Sequence, residues 1–446
     1  MATLANKNEI FYIPVGRYFN KKEDEVNIIY APLKGKFMLA TNQMCIELEK
    51  AFANNTTDSK AINTKDAICQ TQDIDFDKLT HGIESLYEIE ILANNTCNFS
   101  CVYCYSAKGR STQRLDFQNF KTLIDFLFNG NHFPKRTYAI HFSGGGEPLL
   151  SFDFIKEAIP YIQNAYRTGN QHPYKLGLVT NGSLLTLPIA KYLKDNNVEI
   201  IISFEILEDL QNKERGNYER VSANIQMLTE NNIPFGTRTT FTPDSVHRMC
   251  EMVNVAHSKF PGMRNLTFDV VLAPQLFNTP QDLDDYYIHF LDEYYKAKEL
   301  AKSYNMGIGC LAAEPLHNLR DRACYGKMVL TPWGKISSCA RISSPKEALY
   351  PKYVWGEING STLKLDADKF ASIIEECNIY TQEHCKSCFA RWNCGGGCKL
   401  LHDSFRKEYS NAYCHFQQEA LTRQIIDLIN KSCLSKTGQT IFENIK

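Results

Sequence analysis

Sixteen cysteines in a chain of 446 residues are the side chains best able to do chemistry, and they are crowded into two places. Cys97, Cys101 and Cys104 have the spacing C-x3-C-x2-C. A structural zinc site closes with four ligands, whereas three thiolates leave one metal position open. A 4Fe–4S cluster held by three cysteines likewise keeps one iron free for an outside ligand. Zinc completed by a distant fourth residue is the rival at this point. The second group holds Cys324, Cys339, Cys377, Cys385, Cys388, Cys394, Cys398 and Cys414. Within it Cys324 and Cys339 flank Gly334, and Cys385-x2-Cys388-x5-Cys394-x3-Cys398 precedes Cys414. Random placement of sixteen cysteines rarely yields both patterns in one chain. The C-x2-C pair also suits tetrahedral zinc, so a pair of zinc ribbons competes with iron–sulfur here. Gly395, Gly396 and Gly397 tilt the reading toward iron–sulfur, because bare backbone N–H groups can reach cluster sulfurs. Cys45, Cys69, Cys250, Cys377 and Cys433 fit no spacing and read as small buried apolar residues.

A run of glycines stands near the first group. FSGGGEPLL contains Gly144, Gly145, Gly146, Glu147 and Pro148. Such glycines let backbone groups approach a ligand closely, and Glu147 adds an acceptor. A phosphate loop would need a lysine followed by serine or threonine, which this segment lacks.

These residues need elements to position them. From about Glu88 to Leu300, short apolar runs alternate with helical periodicity about six times. YEIEILA, TYAIHFS, KLGLVT, EIIISFE, FGTRTTF and LTFDVVLA read as strands with both faces buried. Strand–helix repetition predicts parallel pairing and a full or partial α/β barrel. Reactive groups of such barrels sit on loops leaving the C-terminal ends of strands, where the three cysteines and the glycine run both fall. Before this region, NIIYAPLKGKFMLA reads as two strands about a turn, and NQMCIELEKAF as a helix. The polar ANNTTDSKAINTKD reads as a surface loop or linker. After about Met306 short hairpins such as VLTPWGKISSC appear, and a last helix is expected from near Tyr413.

Lysine plus arginine (49) and aspartate plus glutamate (50) nearly cancel, which argues against a nucleic-acid partner. No apolar run approaches 18 residues, and the N-terminus lacks a secretory layout, so no membrane association is expected. A cytoplasmic, reducing location then favours metal over a disulfide framework for the clustered thiols.

CNFSCVYC followed by GGEP resembles the radical SAM superfamily, and the later cysteines resemble its seven-cysteine SPASM extension. The resemblance covers most of residues 85–420. It implies a partial (β/α)6 TIM-type barrel at 85–305. A small α+β N-terminal domain at 1–84 and a cysteine-rich SPASM domain with terminal helix at 306–446 would flank it. It further implies S-adenosylmethionine (SAM) and three 4Fe–4S clusters. Cys97, Cys101 and Cys104 would hold the SAM-binding cluster. Cys324, Cys339 and Cys398 would hold a nearer auxiliary cluster, with Cys310 as candidate fourth ligand or an open iron. Cys385, Cys388, Cys394 and Cys414 would hold a farther one. Gly145, Gly146, Glu147 and Pro148 would meet the methionyl amino group, and Tyr103 the adenine. Thr180 and Asn181 end the family's fourth strand, and Ser203 matches a ribose contact. Arg215 and Arg238 are candidates for the methionyl carboxylate.

The activity implied is hydrogen abstraction by a 5′-deoxyadenosyl radical from a ribosomally made precursor peptide, installing a crosslink or related modification. A flavodoxin- or ferredoxin-type donor would supply electrons. The alternative is an anaerobic sulfatase-maturing enzyme, in which an aspartate follows the second SPASM cysteine; here Ala340 and Arg341 follow Cys339. A non-enzymatic zinc-binding interaction protein is the third reading. The N-terminal segment resembles a winged-helix recognition element that would capture a leader peptide by adding a strand; a barrel cap is the plainer reading. The sequence names no catalytic base; Glu205 and Tyr105 are two possibilities.

Overall fold

The computed structural model describes residues 3–4, 9–71, 82–130, 132–133, 136–317, 319–405 and 407–444. The chain divides into two units that cut across the three expected segments. One joins Met1–Lys78 to Leu311–Cys324 and Cys377–Lys446; the other comprises Leu79–Cys310 and Tyr325–Glu376.

The first unit is built on an antiparallel sheet ordered β1 (Thr3–Leu4), β2 (Phe11–Pro14), β3 (Val26–Ala31) and β4 (Lys36–Thr41). Gly35, at φ +58°, closes the turn between β3 and β4. The Thr41 side chain then accepts the Met44 N–H at 3.3 Å and starts α1 (Asn42–Phe52). Asp58 does the same for α2 (Ser59–Gln70), accepting from the Ala61 N–H at 2.7 Å. Half of the expected polar loop is therefore helix: its polar residues cover the outer face while Ala61 and Ile68 turn inward. Strand alternation sends Phe11, Ile13, Ile28 and Tyr30 to one face, against Leu421, Ile425 and Ile426 of the helix Lys407–Thr437. Ile10, Tyr12, Ile29 and Ala31 pack on the other face against Cys45, Leu48 and Ile68. With both faces covered, β3 is buried throughout. The terminal helix starts at Lys407, six residues before the expected Tyr413.

The second unit holds the predicted parallel strands. β5 (Glu88–Ile91), β6 (Tyr138–Phe142), β7 (Tyr174–Thr180), β8 (Val198–Ser203), β9 (Gly236–Phe241), β10 (Asn265–Val270) and β11 (Gly307–Gly309) pair in that order, all parallel. The helices α3 (Phe117–Phe128), α4 (Phe152–Thr168), α5 (Leu187–Asp195), α6 (Glu208–Glu214), α7 (Tyr218–Glu230), α8 (Met249–Lys259) and α9 (Pro280–Ser303) make the crossovers. On its other edge β5 pairs in parallel with β12 (Met328–Leu330), which continues antiparallel through β13 (Lys335–Ser337), β14 (Val354–Asn359) and β15 (Thr362–Leu365). The hairpin read in VLTPWGKISSC is thus an extension of the parallel sheet. Ile89 and Ile91 are buried on one face of β5, and Glu90 carries a polar group on the other. Among the described residues no helix is long and apolar enough to cross a membrane.

Candidate functional site

The loop that leaves β5 carries Cys97, Cys101 and Cys104, and the loop that leaves β6 is stitched onto it. Gly146 N–H donates to Asn94 O at 3.1 Å, and Glu147 N–H to Thr96 O at 2.8 Å. The Asn94 amide answers by donating to Glu147 O at 3.0 Å and to Ser151 Oγ at 2.9 Å. This crossing is so close that a Cβ on Gly146 would lie 1.9 Å from Thr96 O. Gly144 and Gly145 adopt φ +64° and +60°, where glycine is favoured. Pro148 opens the short turn Pro148–Ser151 that leads into α4.

Glu147 is buried, and its carboxylate is a brace. It accepts from Thr180 Oγ1 at 2.5 Å, Asn181 N–H at 2.8 Å and Leu149 N–H at 3.2 Å. Burial pushes its carboxyl above the usual range, and these donors oppose the shift. The brace fixes the end of β7, from which the Asn181 amide reaches Asn98 Oδ1 at 2.9 Å and lies 4.0 Å from Cys97 Sγ. Three strand ends therefore meet at the cysteine loop.

Two guanidinium groups attend the thiols. Arg110 Nη2 donates to Cys104 Sγ at 3.2 Å, and Cys97 is a further electrostatic neighbour. Burial raises the Cys101 thiol, with Arg215 the main opposing charge. Arg110 Nη1 and Arg215 Nε are buried without a hydrogen-bond partner. Clustered thiols with spare cationic donors suit an anionic metal–sulfur centre. Arg110 was not singled out in the sequence, where it reads as an ordinary basic loop residue.

Tyr103, Glu205 and Arg215 form one buried cluster. The Tyr103 hydroxyl donates to Glu205 Oε1, and Arg215 Nη1 lies 2.7 Å from that hydroxyl and 3.4 Å from Glu205 Oε1. Thr240 N–H donates to Glu205 Oε2 at 3.1 Å. Glu205 is fully buried with both oxygens engaged, so it is a poor base for an incoming substrate. Ser203 ends β8 in register with Arg238 on β9, and Arg238 Nε pairs with Asp269 Oδ2 at 2.8 Å. Tyr105 is partly exposed with the Arg341 guanidinium 5.1 Å above its ring. Lys327 sits between Glu88 at 2.6 Å and Glu90 at 2.9 Å.

In the first unit, Cys385, Cys388, Cys394 and Cys414 line one cavity of about 260 Å³, with His384 and Gln418. Gln418 Nε2 donates to Cys388 Sγ at 3.4 Å. Burial, then neighbouring sulfurs, push the Cys385 and Cys414 thiols up to about 12. Ionising four such thiols together is costly unless a cationic centre shares the cavity. Among the described residues no three His, Cys, Asp or Glu side chains converge as single-ion ligands. Four thiols lining one cavity suit a metal centre, whether iron–sulfur or zinc. Cys324 and Cys398 belong to this same unit, and Cys310 and Cys339 to the other. Cys310 is buried, with Tyr294 among its neighbours.

Residues 91–256 match the model of the radical SAM superfamily. These residues form a radical SAM domain. That family implies SAM and a 4Fe–4S cluster. The radical SAM cyclopropyl synthase TigE of Paramaledivibacter caminithermalis is 29% identical over 27% of this chain and 28% of its own. A cysteine-type anaerobic sulfatase-maturating enzyme of Clostridium perfringens is 21% identical over 76% of this chain and 96% of its own. The first curated relatives are matched over 64%, 28% and 41% of their lengths, in each case less than two thirds. Among solved structures, anSMEcpe with bound AdoMet has a TM-score of 0.58 at 17% identity, covering 76% of this chain and 94% of its own. Streptococcus suis SuiB bound to precursor peptide SuiA has a TM-score of 0.53 at 15% identity, covering 92% and 98%. At these identities the likeness is one of fold: an α/β domain with a large parallel sheet.

Proposed function

We propose that this protein is a radical SAM peptide maturase that abstracts hydrogen from a ribosomally made precursor peptide to install a crosslink or related modification. The observation that carries the reading is the joining of the cysteine loop to the ends of β6 and β7 through Gly146, Glu147 and Asn181. That arrangement suits three thiolates, Cys97, Cys101 and Cys104, presenting one open metal position beside a glycine loop. When bound, the cluster and SAM supply reductive cleavage of the sulfonium, giving methionine and a 5′-deoxyadenosyl radical. The chain's own residues hold and aim. Gly145, Gly146 and Pro148 shape the backbone that faces the methionyl end, while Glu147 locks Thr180 and Asn181 beneath it. Tyr103 is fixed by Glu205 and Arg215, and Ser203 ends β8 with Arg238 beside it within β9.

In this reading Cys385, Cys388, Cys394 and Cys414 hold a farther auxiliary cluster. Cys324, Cys339 and Cys398 hold a nearer one, with Cys310 as candidate fourth ligand. A flavodoxin- or ferredoxin-type protein donates the electron. A leader peptide has a matching surface in the N-terminal unit. β4 is an edge strand, and a cavity of about 370 Å³ beside it is lined by Phe37, Met38, Ala67 and Ile68. An extended segment could add a strand there and seat an apolar side chain. The sulfatase-maturing alternative keeps the support of the Clostridium relative, but Ala340 and Arg341 stand where its resemblance asks for aspartate.

Anaerobic reconstitution tests the reading. About twelve irons with matching sulfide per chain are expected. Reduction with SAM should yield 5′-deoxyadenosine, and Cys97→Ala, Cys101→Ala or Cys104→Ala should abolish it. Zinc without sulfide, or turnover that survives these substitutions, would overturn it.

A further inference from the structure

Cys377 belongs to no ligand spacing, yet it is buried in a telling place. Its Sγ lies 3.6 Å from Gly396 O and 3.6 Å from Gly397 O, on the turn between Cys394 and Cys398. His402 Nε2 reaches the same Gly396 O at 2.9 Å. The turn is three successive glycines at φ +67°, +80° and +83°, a backbone that side chains rarely adopt. A Cβ on Gly396 would fall 2.9 Å from the backbone of Asn378, the residue after Cys377. The turn is seated against the backbone of Arg322 and Asn378, and hydrogen bonds fix the direction of its carbonyls.

A trans peptide points its C=O and the following N–H in opposite directions. Drawing the Gly396 carbonyl toward Cys377 and His402 therefore turns the Gly397 N–H the other way. There it donates to Cys394 Sγ. One rigid peptide plane thus links the Cys377 thiol to a sulfur of the four-cysteine cavity.

We propose that Cys377 and His402 are positioning residues that set the reduction potential of the farther auxiliary cluster by holding the 395–397 turn in place. The inference rests on the reading of that cavity as a cluster site. An N–H donated to a cluster sulfur stabilises the reduced, more negative state and raises the potential. Cys377 acts as a thiol rather than as a ligand, since two carbonyl oxygens face its sulfur. A thiolate would meet the negative ends of both dipoles, whereas S–H can donate to them.

The test uses the full-length protein reconstituted without oxygen, as wild type, Cys377→Ala, Cys377→Ser and His402→Ala. Iron and sulfide are counted, and the farther cluster is titrated by EPR at controlled potential. Cys377→Ala and His402→Ala should keep the wild-type iron count while the potential moves negative. Cys377→Ser, which offers an O–H to the same carbonyls, should return it toward wild type. Loss of about four irons in Cys377→Ala would make Cys377 a ligand and overturn the proposal. An unmoved potential in both alanine variants would overturn it as well. Should Cys377→Ala fail to fold, His402→Ala alone decides by the same potential. A wild type without iron and sulfide would instead sink the parent reading, and this inference with it.

Discussion

Gly146→Ala is expected to do more damage than Gly144→Ala, although Gly144 is the one with a left-handed backbone. A Cβ at position 146 would lie 1.9 Å from Thr96 O and 2.4 Å from Asn94 Oδ1. Relief requires the two loops to part by about 1.5 Å, because ordinary carbon–oxygen contacts begin near 3.4 Å. That movement breaks the 2.8 Å bond from Glu147 N–H to Thr96 O. One lost hydrogen bond costs about 1 kcal/mol. Forcing a methyl into a closed space adds about 1–3 kcal/mol, so a loss of roughly 2–4 kcal/mol is expected. At Gly144 the nearest atom to a Cβ is 3.6 Å away, leaving only the backbone penalty at φ +64°, about 1–2 kcal/mol. Urea unfolding of both apo variants, followed by circular dichroism, measures the difference. Because Thr96 precedes Cys97, Gly146→Ala should also lose iron from the first cluster faster under a chelator. Equal stability of the two variants, or a less stable Gly144→Ala, would refute the steric argument.

Two further outcomes can be checked by the same unfolding assay. Glu214 is buried with Oε2 unpartnered, and burial raises its carboxyl from 4.5 to about 7 despite a 2.6 Å hydrogen bond from Thr242. Folding therefore takes up a proton between those values. Its contribution is complete below pH 4.5 and is lost as pH rises through 7, with a slope of at most about 1.4 kcal/mol per pH unit. Glu214→Gln should flatten that slope, and an unchanged slope would assign it to other groups. Tyr30→Phe removes the buried 2.7 Å hydrogen bond to Asn393 Oδ1; a loss of about 1–2 kcal/mol is expected, and a neutral result would mean that Asn393 finds another donor.

What the sequence made legible was whatever the chemistry forces to be local. Cys97, Cys101 and Cys104 leave one short loop together, so their spacing survives as a pattern in the chain. The parallel strands β6, β8, β9 and β10 alternate buried with half-buried or exposed positions rather than burying both faces, yet their apolar content still let the six strand–helix repeats be read. Polar residues misled where helix amphipathicity was weak: 59–66 reads as loop, yet Asp58 caps α2 there. The union of the first 78 residues with the cysteine-rich segments was hidden because its contacts, such as Tyr30 with Asn393, are 363 residues apart. The same distance effect governs the site. Glu147 looked like a ligand-facing acceptor, but its partners Thr180 and Asn181 lie over thirty residues away and consume it as a brace. Glu205 was one possible base in the sequence, and Tyr103 and Thr240, 102 and 35 residues distant, engage both its oxygens. Spacing can name candidate metal ligands, since ligand geometry favours short regular intervals. It cannot say which neighbouring carboxylate remains available for proton transfer, because that is decided by donors arriving from other strands.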